Sequence, residues 1–74
     1  MEEWKVIFCS NIRFLRKNSG MSQKKMAKIM GISISSLRKI EHGIIPGISW
    51  EVLLRLRNYF QLPLEQITEK YIEK

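Results

Sequence analysis

"SQKKMAKIMGISISSLRKIEHG", residues 22–43, reads as two short helices joined by almost no chain. Ser22 stands where a hydroxyl oxygen accepts from the free N–H groups of a first helical turn, and Met26, Ala27 and Met30 follow at helical spacing. Gly31 stops that helix, because glycine takes the left-handed backbone of a helix end without steric cost. Ser33 offers a second cap, Leu37 and Ile40 form a second apolar stripe, and Gly43 closes it. Only Gly31, Ile32 and Ser33 join the two, so the helices must cross steeply and at close range. Ala27 is the only alanine of the chain and lies one turn before Gly31, where a larger side chain would push the helices apart. At about 100° per residue, Leu37, Ile40 and Glu41 share one side of the later helix, and the other side centres on Ser35 with Arg38, Lys39 and His42 around it. Lys24, Lys25 and Lys28 likewise oppose Met26, Ala27 and Met30. A merely solvated helix face has the same pattern, so periodicity alone leaves open what these cations meet.

Outward from this pair the helical spacing continues. Trp4, Phe8, Ile12 and Leu15 predict a helix over about residues 2–18, ending at Asn18-Ser19-Gly20. After the loop Ile44-Ile45-Pro46-Gly47-Ile48, whose isoleucines are expected beneath Trp50, Ser49 caps a helix with Leu53, Leu56 and Phe60 inward. Pro63 opens a fifth helix with the stripe Leu64, Ile67 and Tyr71. No segment alternates as a strand does. The expected fold is therefore all-α, a compact five-helix bundle forming one domain over residues 1–74, with the paired-helix motif at about 22–43.

A chain of 74 residues supports one small core and leaves little room for an elaborate pocket. Thirteen Lys and Arg against seven acidic residues, all Glu, leave a formal charge of +6, which favours a polyanionic partner. The charge is regional. Between Glu3 and Glu41 there is no acid, while Lys5, Arg13, Arg16, Lys17, Lys24, Lys25, Lys28, Arg38 and Lys39 all fall there. One cysteine and one histidine exclude an internal disulfide and a four-ligand zinc site. No metal, cofactor or small-molecule ligand is implied, and Cys9 reads as a small helix residue. A reducing cytoplasm is the expected location; the run Val6-Ile7-Phe8-Cys9 is too short for a signal-peptide core, and no segment would span a membrane. The chain lacks a Ser/His/Asp or Cys/His constellation, a carboxylate pair and a phosphate-cradling glycine loop, so an enzyme is not expected.

Small, glycine and apolar residues at these offsets are the marks of a helix-turn-helix. Two stretches, "IRFLRKNSGMSQKKMAKIMGIS" (residues 12–33) and "SLRKIEHG" (36–43), follow the order I-R-x-L-R, G-hydrophobic-S-Q-x-x-hydrophobic-A and hydrophobic-x-x-I-E-x-G. In this they resemble the Cro/C1-type (XRE-like) helix-turn-helix family of bacterial and phage repressors, the likeness spanning residues 12–67. The resemblance implies a λ-repressor-like domain and a sequence-specific regulator of double-stranded DNA, a repressor binding a pseudo-palindromic operator as a homodimer. It places the side chain and backbone N–H of Gln23 at a phosphate, the helix from Ser33 in the major groove, and Ile34, Ser35 and Lys39 at base edges. It also makes Arg16 and Glu41 a structural pair that buttresses the end of this recognition helix.

The basic faces add Lys24, Arg38 and His42 as phosphate contacts, with His42 alternatively serving the helix dipole. A recognition helix of about ten residues, roughly 15 Å long, suits a groove about 12 Å wide. Ile34 and Ser35 stand where many relatives carry Gln or Arg, and the loop after Gly43 lacks the usual basic or polar residues. Ile34 has an alternative role as a packing contact that touches no base. Leu64, Ile67, Tyr71 and Ile72 form a candidate dimer surface; alternatively Tyr71 and Ile72 pack onto Ile7 and Phe14. A protein-interaction or RNA-binding module on the same fold is the competing functional reading.

Overall fold

The computed structural model describes residues 3–45 and 47–72, which form five helices and no strand. In chain order these are α1 (Glu3–Asn18), α2 (Gln23–Met30), α3 (Ile34–Glu41), α4 (Trp50–Phe60) and α5 (Leu64–Thr68). The expected caps are in place: the hydroxyls of Ser22, Ser33 and Ser49 accept from the N–H groups of Lys25, Ser36 and Val52 at 3.1, 3.0 and 3.4 Å. Gly31 ends α2 at φ 73°, with Gly31 N–H donating to Lys28 and Ile32 N–H to the Ala27 carbonyl at 3.0 Å. That double bond pattern turns the chain sharply into α3. Gly31 is also a close approach, since a Cβ there would come within 3.0 Å of Arg55 Nε on α4.

The core gathers Phe8, Ile12 and Leu15 of α1, Met26, Ala27 and Met30 of α2, Leu37 and Ile40 of α3, Val52 and Leu56 of α4, and Ile67 of α5. Helix α1 packs on α3 and α5, and α2 on α3 and α4, so every face of the motif except its outer one is backed by another helix. The Cα radius of gyration is 10.9 Å, close to the roughly 11 Å expected of a well-packed chain of this length.

Four expectations are corrected. Helix α3 has eight residues, so it is about 12 Å long. Helix α5 stops at Thr68, and Tyr71 lies beyond it. Its stop is tertiary: the Asn11 carboxamide, wholly buried in α1, donates to the carbonyls of Gln66, Ile67 and Lys70 and draws the chain out of helical register. Trp50 is 62% exposed, while Ile45 and Ile48 turn to the core and Ile44 to solvent, so Trp50 does not roof the loop. Ile67 is 0% exposed and belongs to the core; it is lost from the candidate dimer surface. Leu53 and Phe60 face inward but are only half-buried.

Candidate nucleic-acid interface

The outer surface of the motif follows from the way α2 and α3 bury their apolar stripes. With Leu37 and Ile40 in the core, Ser35, Arg38 and Lys39 are turned outward and exposed. With Met26, Ala27 and Met30 in the core, Lys24, Lys25 and Lys28 are exposed as well. Ile34 is half-buried and packs against the core cluster, leaving only part of its side chain at the start of α3. His42 is exposed and caps α3, its backbone N–H donating to the carbonyls of Arg38 and Lys39 at 3.1 Å.

Glu41 is the one acid of α2 and α3, and its charge is neutralised from behind. Arg16 Nε and Nη2 donate to its two carboxylate oxygens at 2.6 and 2.9 Å, and Nη1 donates to the Met21 carbonyl at 3.1 Å. The two-pronged geometry is the strong form of this contact, and the pair is largely shielded, its side chains 15% and 7% exposed. The hydrogen bond that Arg16 donates to Glu41 holds its guanidinium pKa above the ordinary value; burial opposes this and the carboxylate's charge adds to it. The cation is therefore permanent, and the outer face carries uncompensated positive charge.

The Gln23 side chain is bonded within the protein on both sides. Its Nε2 donates to Glu41 Oε1 at 3.4 Å, while its Oε1 accepts from Arg38 Nε at 3.2 Å. Thus Arg16, Glu41, Gln23 and Arg38, drawn from three helices, form one hydrogen-bonded series. Lys24, Lys39 and His42 stand outside it. Arg13 and Lys17, which the sequence reading counts in the regional charge without giving them a contact, lie on successive turns of α1 and border a groove of about 540 Å³ lined also by Val6, Cys9 and Phe14. Their four-residue spacing was the available signal. Among the described residues no three metal-ligating side chains cluster, and no helix is long and apolar enough to cross a membrane.

A family model described as a helix-turn-helix domain matches residues 10–73, nearly the whole length over which α1 to α5 pack together. No curated protein and no solved structure matches the chain. The matched span contains both capped helices, the tight turn at Gly31 and the buttressing pair, and the chain belongs to the helix-turn-helix domain family of the XRE/Cro-C1 type.

Proposed function

We propose that residues 1–74 act as one DNA-binding domain of a cytoplasmic repressor, a homodimer that reads a pseudo-palindromic operator through α3. The observation that carries this reading is the electrostatic state of the motif. Five cations, Lys24, Lys25, Lys28, Arg38 and Lys39, are exposed on its two helices, and the only acid there is cancelled by Arg16. A helix about 12 Å long with short side chains at its start matches a major groove about 12 Å wide. Ser35 and Lys39, one turn apart, approach base edges, Lys39 suiting guanine O6 and N7 and the outer part of Ile34 a thymine methyl. Lys24, Arg38, His42 and the first-turn N–H of Gln23 meet phosphates. One eight-residue helix reads few base pairs, so specificity calls for two copies about 34 Å apart on the duplex. Tyr71, 53% exposed, is the proposed self-contact, with the half-buried Leu64 and with Ile72, whose inner side packs against the core.

The test is selection of bound duplexes from a random pool at fixed salt, followed by Lys39→Ala and Ile34→Gln against every single-base change. Each variant is expected to alter preference at one position, by about 1–3 kcal/mol for a direct guanine contact. A pool that yields no preferred duplex, or RNA that competes equally, refutes the reading. Sedimentation with and without DNA decides the dimer.

A further inference from the structure

The carboxamide of Gln23 stands between two ions of opposite sign, the Glu41 carboxylate and the Arg38 guanidinium. An amide carries both donors and an acceptor on one planar group, so it satisfies both neighbours at once. Turned over, it would face its NH₂ to the guanidinium and its carbonyl to the carboxylate, two repulsive contacts; the flanking charges therefore fix its orientation. Glu41 is itself anchored by two bonds from Arg16, so the support reaches back into α1. Only Nε of Arg38 is engaged among the described residues; the side chain is exposed, and its terminal nitrogens make no hydrogen bond there.

We propose that the Gln23 side chain is a positioning residue for Arg38: it grips the guanidinium by Nε so that the terminal fork is presented to a phosphate, and does not itself bind that phosphate. The benefit is pre-organisation. A free arginine must be ordered when it binds, and ordering one such side chain accounts for about a 3- to 10-fold loss in affinity. The inference rests on the DNA-binding reading above for its consequence, but its geometric half concerns the free protein.

Two measurements separate these parts. In the free full-length protein, hydrogen exchange at Arg38 Nε–H should quicken severalfold in Gln23→Met, while Arg16 Nε–H, bonded to Glu41, stays slow. Equal Arg38 exchange in the two proteins overturns the proposal whether or not any duplex binds. On the selected duplex, Gln23→Met and Arg38→Met each weaken binding, and the double variant should bind no more weakly than Arg38→Met alone. Losses that multiply put the Gln23 side chain on the phosphate directly and overturn the proposal. A wild type that binds no duplex defeats the functional reading, and the exchange measurement then decides the positioning alone. Gln23→Ala, which shortens the side chain without adding bulk, repeats both measurements should Gln23→Met melt early.

Discussion

Replacing Asn11 with leucine should destabilise this fold measurably, though the side-chain hydrogen bonds of Asn11 all run to residues 66–72 and none to α2 or α3. Its carboxamide donates to Ile67 and Lys70 carbonyls at 2.8 and 2.9 Å and more weakly to Gln66 at 3.3 Å, and its oxygen accepts from Ile72 N–H at 2.9 Å. Three well-formed bonds at about 1 kcal/mol each, plus about 1–3 kcal/mol for the buried Ile67 carbonyl left without a donor, outweigh the roughly 1.5–3 kcal/mol gained by burying leucine at this fully buried site. The net loss is about 1–4 kcal/mol, which for a domain of this size lowers the melting temperature by roughly 5–25 °C. Thermal and urea unfolding followed by circular dichroism measure it. Asn11→Asp sharpens the test: it keeps the acceptor for Ile72 but turns a carboxylate oxygen on the carbonyls of Ile67 and Lys70. Burial and that repulsion raise its pKa above the unfolded value of about 3.9, so folding takes up a proton. Its deficit relative to wild type should be full at neutral pH and shrink as pH falls through the raised folded value. A leucine variant melting within about 3 °C of wild type, or an aspartate variant whose deficit is the same at pH 4 and 7, would refute the reasoning.

Ala27 is 2% exposed at the α2–α3 crossing, so Ala27→Leu should cost about 1–3 kcal/mol of stability and weaken duplex binding in proportion to the unfolded fraction; an unchanged melting curve would disprove a tight crossing. Gln61 ends α4 at φ 56°, a conformation that costs a side-chain-bearing residue about 1 kcal/mol, so Gln61→Gly should raise the melting temperature by a few degrees. A fall there would show that its hydrogen bond to the Asn58 carbonyl outweighs the backbone strain. Cys9 is buried and its thiol is pushed up by that burial, so a disulfide reagent at neutral pH should modify it only as fast as the protein opens, with a rate that climbs in urea; prompt, complete reaction of the native protein would contradict the packing.

The helix starts and stops were legible because their causes are local. Ser22, Ser33 and Ser49 each bond an N–H three residues on, and Gly31 turns the chain through bonds spanning a few positions. The Arg16–Glu41 pair, separated by 25 residues, was reached through the family pattern and not through periodicity. Asn11 was not legible at all. A polar residue within α1 reads as solvent-facing, and nothing near it in sequence shows that its partners lie 55 to 61 residues away. The same distance explains the error at Tyr71: its spacing from Ile67 is helical, yet α5 ends earlier because Asn11 claims its last carbonyls. For Gln23 the residue was identified but its neighbour was not, since the crossing of α2 and α3 decides that Arg38 comes within reach.

The clasp between Asn11 and residues 66–72 also determines where this fold can be opened. Helices α2 and α3 are eight residues each, shorter than the roughly 12–15 residues at which isolated helices become even marginal in water. The motif therefore exists only while α1, α4 and α5 surround it. A single protease cut between Thr68 and Lys70 would free the Lys70 and Ile72 ends of the clasp, loosen α5 from α1 and let the core open from the side remote in sequence from the motif. The exposed side chains of α2 and α3 would be chemically unchanged and yet lose their common arrangement, and residues 69–72 serve as the latch of the fold.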